Sequence, residues 1–289
     1  AADTLADLVP GSGHLVHMPS HIYWRIGRYH DASEANVRAA KVDEDYIAAC
    51  NAQGFYPALY YPHNIHFLWA ASSMEGRSAV SIEAARKVAA NIRLEQIEQF
   101  PTIEFFHTIP LLALTQFAKW DEVLAEPQPA ASLEFSNAIW RYARGVALAR
   151  QGKVELAIAE RKALQPLLQT DKILLLDGND YPASIVLSIA NQLLSGEIAM
   201  AGADHGSAVA AFEKAVMAQD SLPYTEPPFW YYPTRQSLGE ALFKRGANGA
   251  AEAVYKEDLQ RYPRNGWSMY GLIQSLEAQG KADEAAKVR

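Results

Sequence analysis

The chain of 289 residues is 49% hydrophobic and 20% charged, which is typical of a folded protein and excludes a disordered one. Its formal net charge of −7, from 26 basic and 33 acidic residues, argues against a nucleic-acid-binding face. One cysteine, Cys50, excludes an intrachain disulfide and a thiolate metal site, so any transition-metal site must use His, Asp and Glu.

The first residues, AADTLADLVPGSG, contain neither an initiating methionine nor a signal-like segment. We therefore interpret the chain as a fragment or a processed product, and leave its compartment open between cytoplasm and periplasm. The most apolar stretch that we identify, LQTDKILLLDG, is shorter than the about 18–20 residues of a membrane span and is charged. We expect no membrane span.

A short pattern with a leading glycine and a closing alanine recurs along the chain. It reads GRYHDA at 27–32, GKVELA at 152–157, GANGAA at 246–251 and GKADEA at 280–285. Weaker copies lie around Gly76, Ala118 and Ala203. The steps from 118 to 152 and from 246 to 280 are both 34 residues, and the other steps are longer. Recurrence at such intervals indicates a repeat protein.

The segments around each copy predict pairs of helices. An apolar-periodic segment precedes each copy and an Ala-rich one follows it, while the glycine suits the tight turn between them. We find no alternating runs bounded by hairpin turns. The sequence predicts an all-α, right-handed α-solenoid of about seven helical hairpins. We treat 1–289 as one domain, with His-rich repeats over about 10–125 and plainer repeats over about 130–289.

The segment RYPRNGWSMYGLIQSLEAQGKADEAA, near the end of the chain, resembles a tetratricopeptide repeat. HLVHMPSHIYWRIGRYHDA and YYPHNIHFLWAASSMEG further resemble a bacterial group of tetratricopeptide-like proteins with His-rich first helices and unsettled function. The resemblance implies that the first helix of each hairpin lines a concave groove. It also implies that the positions 13, 10 and 6 residues before each turn glycine point into that groove.

Histidines occupy these positions in three consecutive repeats. His14, His17 and His21 precede Gly27 by those intervals, His63 and His66 precede Gly76, and Glu104 and His107 lie within one residue of them before Ala118. Imidazoles with one carboxylate suit Zn, Cu, Fe or Ni. We expect a divalent transition metal to be bound by His17, His21, His63, His66 and His107.

Pro19 lies among these histidines and has two interpretations. It could kink a longer helix and free the carbonyl of Leu15, or it could be the first residue of a shorter helix. Pro62 fits the second interpretation in the next repeat. Either arrangement bends the chain beside the imidazoles.

Other polar and aromatic residues extend the hypothesis. Glu104 would serve as a ligand or base, Tyr60 as a proton donor, and Arg25 as an anion clamp, although an arginine there is also typical of a solvated helix end. Candidate carboxylate partners of the ligands are Asp31, Glu34, Asp43 and Asp45. Residues that we expect to contact a ligand are His14, Tyr61, Trp230, Tyr231, Arg235 and Tyr270, with Pro233, Gln236, Glu240, Trp267 and Gln274 also at groove positions.

Two functions fit these patterns. In the first, the groove holds a metal and is the site of a metal-dependent reaction on a small molecule or peptide. In the second, the protein is a non-catalytic scaffold whose groove binds a peptide or partner protein, and the histidines are hydrogen-bonding or pH-responsive contacts. Imidazoles that converge within ligand distance would favour the first function, and imidazoles spread along the groove the second.

Overall fold

The computed structural model describes residues 2–51 and 60–289, and every regular element in these ranges is helical. The first nine α-helices are α1 Ala2–Leu5, α2 Gly13–His17, α3 Pro19–Arg25, α4 Tyr29–Cys50, α5 Tyr61–Met74, α6 Ser78–Ala90, α7 Leu94–Gln99, α8 Ile109–Gln116 and α9 Trp120–Ala125. The others are α10 Glu134–Arg150, α11 Val154–Leu164, α12 Asp171–Asp177, α13 Ala183–Ala201, α14 His205–Asp220, α15 Arg235–Lys244, α16 Asn248–Arg261, α17 Gly266–Glu277 and α18 Ala282–Val288. Two 3₁₀ helices span Pro101–Thr108 and Gln165–Leu167.

The chain divides into two compact units. Unit 1 comprises Ala1–Ala113 with Tyr262–Gly266, and unit 2 comprises Leu114–Arg261 with Trp267–Arg289. In unit 1, α4 packs against α2, α3 and α5, and α5 packs against α6. In unit 2, α10 packs against α11 and α13, α13 against α14, α14 against α15, and α15 against α16. Helices that pack mainly on their neighbours in sequence form the predicted all-α solenoid. That 1–289 forms one domain stays a prediction.

The seven turns predicted from the repeat pattern all lie between antiparallel helices. Each anchor residue has a positive φ, between 54° and 82°, the left-handed region that favours glycine. The seven anchors are Gly27, Gly76, Ala118, Gly152, Ala203, Gly246 and Gly280. Gly27 is restricted further, because a Cβ atom there would lie 2.1 Å from the backbone oxygen of Pro263. The two alanines carry the steric cost that the glycines avoid.

We expect Ala203→Gly to stabilise the protein by about 0.5–1 kcal/mol, because it relieves a positive φ of 59° at an exposed position where the methyl group packs on little. Thermal denaturation should show a rise of a few degrees in the melting temperature. The matched control is Ala210→Gly at an exposed position within α14, where glycine should lower the melting temperature. A fall for both variants would show that residue 203 gains nothing from glycine.

Pro19 begins a helix and does not interrupt one. α2 ends at His17, Met18 separates the two helices, and Pro19 is the first residue of α3. Met18 keeps helical dihedral angles, φ −50° and ψ −35°, so the axis bends without a loop. Pro62 is likewise in the first turn of α5. Both prolines therefore lie where a missing backbone N–H costs little.

One helix was overlooked in the sequence. α13, ASIVLSIANQLLSGEIAMA, has 19 residues and is long and apolar enough to cross a membrane by length and composition, so the choice of LQTDKILLLDG as the strongest candidate for a membrane span was wrong. Half of its apolar window is buried, and it packs against α14, α10 and α11. It also carries Glu197, which is 6% exposed and ion-paired with Arg150. These contacts are those of a core helix.

Candidate metal centre

Four histidines of unit 1 converge from three helices. α2 supplies His14 and His17, α3 supplies His21, and α5 supplies His63. The spacing of three and four residues from 14 to 21 places their side chains on one side of the bent α2–α3 pair. The ring centroid of His17 is 4.8 Å from that of His21 and 4.7 Å from that of His63. His17 is therefore the centre of the cluster.

Two Nε2 atoms approach Nε2 of His17. Nε2 of His17 lies 2.9 Å from Nε2 of His21 and 3.1 Å from Nε2 of His63. Two nitrogens bound to one tetrahedral zinc ion lie about 3.3 Å apart, as follows from Zn–N distances of about 2.0–2.1 Å. Each of these two pairs is thus already close to the separation that a shared ion requires.

Asn36 on α4 sets the proton position on His17. The Asn36 amide donates from Nδ2 to the carbonyl of Ala32 at 2.7 Å, which orients its Oδ1 towards the imidazole. Nδ1 of His17 lies 2.7 Å from that oxygen and must therefore donate to it. The neutral ring then carries no proton on Nε2, so this atom offers its lone pair to the cluster. The sequence analysis did not identify Asn36, which lies one helix away from the histidine motifs.

Burial favours the neutral form of three of these imidazoles, those of His14, His17 and His63. His17 is fully buried, and desolvation followed by the neighbouring His63 lowers its pKa to about 3. Desolvation, reinforced by His21 and His14, lowers the pKa of His63 to about 4. The pKa of His14 is also lowered, first by burial. Neutral imidazole is the form that binds metals.

His14 completes the cluster on the α2 side. One ligand atom from each of His14, His17 and His63 can be chosen so that all lie within 4.8 Å of one another. Nδ1 of His14 is buried and has no hydrogen-bond partner. The ring of Tyr60 stands edge-on to His14, with 4.7 Å between centroids. His14 was expected to contact a ligand, and its position is equally that of a fourth metal ligand.

Phe67 forms the apolar base of the cluster. Its ring is fully buried and meets His17 and His21 edge-on at centroid distances of 5.0 Å and 4.9 Å. Trp24 packs on Phe67 from the other side at 5.8 Å. The aromatic support restricts the histidine rotamers, and such pre-organisation favours a binding site.

Two histidines expected as metal ligands have other neighbours. His66 is 9% exposed, stacks on Trp69 at 5.2 Å and contacts Phe105 and Phe106. Burial lowers its pKa to about 3, so it packs as a neutral aromatic group. Nε2 of His107 donates to the carbonyl of Ile92 at 2.8 Å. A metal can also bind Nδ1, so this bond does not decide the role of His107, and its assignment as a ligand stays a prediction.

The other residues expected to act near this site are placed as follows. Glu104 is buried in the 3₁₀ helix beside Phe105 and Phe106. It does not belong to the group of side chains that could hold a metal in the described part of the chain. Tyr61 is the buried first residue of α5, and its hydroxyl donates to Glu44 at 2.9 Å, so it is not a free groove wall. Arg25 is exposed in the last turn of α3, as expected for a solvated helix end.

The candidate carboxylate partners differ in their surroundings. Asp31 pairs with Arg28, Glu34 with Arg77, and Asp45 with Lys41. Asp43 is fully buried, accepts a hydrogen bond from Asn64 at 2.7 Å, and raises the pKa of His14 against the larger effect of burial. Asp43 is therefore the carboxylate that acts electrostatically on the cluster.

The C-terminal ligand-binding candidates lie in unit 2. Trp230 is 1% exposed and packs on Tyr142 and Tyr231, which makes it a core residue. Arg235 is bound by Asp220 and Glu257 at 2.7 Å and 2.6 Å. Tyr231 and Tyr270 line a cavity, together with Gln236, Glu240, Trp267 and Gln274.

Comparisons with known proteins add little to this geometry. No protein-family model matches the chain, and no curated protein shows significant similarity to it. A chain from the crystal structure of the APC/C hetero-tetramer Cut9–Hcn1 aligns with 99% of this chain at 15% identity and a TM-score of 0.27. This chain covers 57% of that one. At that TM-score the similarity shows neither a family nor a function for this chain.

Proposed function

We propose that unit 1 binds a divalent transition-metal ion through Nε2 of His17, His21 and His63, with His14 as the adjacent ligand. The observation that carries the proposal is the approach of the Nε2 atoms of His21 and His63 to Nε2 of His17, a ring whose tautomer Asn36 sets. His17 Nε2 has one in-plane lone pair, and two imidazoles compete for it at hydrogen-bond distance. A metal ion would satisfy all three nitrogens at once.

The donor set determines the metals that fit. Three imidazole nitrogens suit Zn, Cu, Fe or Ni and are poor ligands for Mg²⁺ or Ca²⁺, which prefer oxygen. Three protein ligands leave at least one coordination position for water or a substrate atom. An ion held this way can activate bound water or polarise a carbonyl, with Tyr60 close by as a proton donor.

The alternative function, a scaffold whose histidines contact a peptide or partner protein, is less well supported for unit 1. It would require imidazoles presented to a partner along a surface. His17 is instead fully buried, and its nitrogens face other side chains of the same unit. The proposal therefore assigns the cluster to metal binding.

Metal uptake tests the proposal. Chelator-stripped protein without an affinity tag is titrated with Zn²⁺ by calorimetry, and its metal content is measured after dialysis. We expect close to one ion per chain for the wild type and loss of that site in the His17→Ala/His63→Ala double variant, because two of the three converging nitrogens are removed.

The matched control is the His30→Ala/His205→Ala double variant. These histidines lie outside the cluster, His30 at the start of α4 and His205 at the start of α14. It should retain wild-type uptake, and thermal denaturation should show that both double variants fold. Equal uptake by the two double variants, or no uptake by the folded wild type, would refute the metal site.

A further inference from the structure

Unit 2 contains a cavity of about 570 Å³, within the range of small-molecule sites. The cavity is built by equivalent positions of successive repeats. Val146, Glu197, Glu240 and Gln274, each six residues before a turn anchor, all line it. α10, α13, α15 and α17 thus present the same helical face to one space.

Aromatic rings are prominent in the rest of the lining. Tyr142, Tyr231, Tyr232, Tyr255, Trp267 and Tyr270 line the cavity. The hydroxyls of Tyr142 and Tyr231 are 3.0 Å apart and that of Tyr232 lies 2.7 Å from Ser237, so these polar groups are paired. Trp267 and Tyr270 are 39% and 64% exposed, so their rings are accessible to a ligand. Aromatic faces attract organic cations.

Two carboxylates of the cavity share one guanidinium. Nη2 of Arg150 lies 2.8 Å from Glu197 and 3.1 Å from Glu240. Glu197 is buried, whereas Glu240 is 38% exposed. Lys244 also lines the cavity and is exposed. The lining therefore holds two cations and two carboxylates, and Glu240 is the carboxylate that a ligand can reach.

Two side-chain amides of the lining have buried atoms without partners. Oε1 of Gln116 is an unpaired acceptor and Nε2 of Gln236 is an unpaired donor. Buried polar groups are rarely left unsatisfied. Both atoms are inaccessible to water, so neither is counted among the groups that contact a ligand in the cavity.

We propose that this cavity binds a small organic ammonium ion. The ammonium group lies near Glu240 and against the accessible rings of Trp267 and Tyr270. The site is separate from the histidine cluster, so its test does not depend on metal binding.

Pairs of probes with matched shapes test the requirement for charge. Tyramine is compared with 4-ethylphenol, and choline with its neutral isostere 3,3-dimethylbutan-1-ol, by the fluorescence of Trp120 and Trp267 and by calorimetry. We expect saturable binding of at least one cation below about 10 mM and binding of its neutral partner weaker by about 5- to 30-fold. Equal binding within both pairs, or no saturable binding of either cation, would overturn the proposal.

Two conservative variants locate the site. Glu240→Gln should weaken cation binding about 5- to 10-fold, because it removes the exposed carboxylate of the cavity while Arg150 keeps Glu197. The control, Glu257→Gln, also breaks an ion pair of unit 2 but lies outside the lining, and it should leave binding unchanged. The same loss in both variants, with both folded by thermal denaturation, would contradict the assignment to this cavity.

Discussion

Asn36→Ala is expected to weaken metal binding about 10- to 100-fold although Asn36 is not itself a proposed ligand. Its Oδ1 is the acceptor that holds the proton of His17 on Nδ1 and leaves Nε2 unprotonated. Without it, the neutral ring can place its proton on Nε2, which then cannot bind a metal. Competition titration against a chromophoric zinc chelator measures the affinity of the variant and of the wild type.

The control for Asn36→Ala is Ser81→Ala. Ser81 is also fully buried in unit 1, but its hydroxyl pairs with Ser73 at 2.7 Å and not with a histidine. Its removal should lower stability by about 1 kcal/mol and leave zinc affinity unchanged. Unchanged affinity in Asn36→Ala would show that the tautomer of His17 does not depend on this hydrogen bond.

Asp258→Asn is expected to stabilise the protein near neutral pH. Asp258 on α16 is 1% exposed, accepts a hydrogen bond from Ser268, and has a second carboxylate oxygen with no hydrogen-bond partner. Burial raises its pKa from 3.8 to about 6, and Glu257 adds to the rise against Ser268, Arg235 and Arg261. The folded protein therefore disfavours the charged carboxylate.

The sign of the pH dependence follows from that raised pKa. At a pH below about 3 the carboxyl is protonated in both the folded and the unfolded chain, and its ionisation does not affect stability. As the pH rises to about 6 and beyond, the unfolded chain ionises more readily, and the free energy of unfolding falls by up to about 3 kcal/mol. Asparagine cannot ionise, so the gain from Asp258→Asn should grow from near zero at pH 3, through about 0.5 kcal/mol at pH 4, to about 1–3 kcal/mol at pH 7.5.

Urea denaturation across this pH range measures the gain. The control is Asp7→Asn at an exposed position between α1 and α2, which should change stability by less than about 0.5 kcal/mol at every pH. A gain for Asp258→Asn that is the same at pH 4 and pH 7.5 would show that ionisation of Asp258 is not its source.

The repeat architecture was predictable because its signals are local. Each turn needs a residue with positive φ, and a glycine with a following alanine marks that place even where Ala118 or Ala203 replaces the glycine. The same offsets from the turn residues predicted six groove positions in the last two repeats. Gln236, Glu240, Trp267, Tyr270 and Gln274 line one cavity, and Pro233 is not part of its lining. Pro19 was ambiguous because the first residue of a helix and a kink within one have the same sequence signature.

The centre of the histidine cluster was only partly predictable. The register brought His14, His17, His21 and His63 to one place, but it gave the same weight to His66, which packs among aromatic rings. Asn36 could not be identified, because its role depends on how α4 packs against α2 and on the direction of one amide. α13 was overlooked as a candidate for a membrane span because Glu197 and other polar residues interrupt its apolar sequence.

X-ray absorption spectroscopy at the zinc edge of the loaded protein tests the metal centre most directly, because it reports the donor atoms themselves. We expect three or four imidazole nitrogens at about 2.0–2.1 Å in the wild type, recognisable by scattering from the outer ring atoms. His63→Ala should have one fewer. A first shell of oxygen atoms without imidazole scattering, or a spectrum that His63→Ala leaves unchanged, would contradict this expectation.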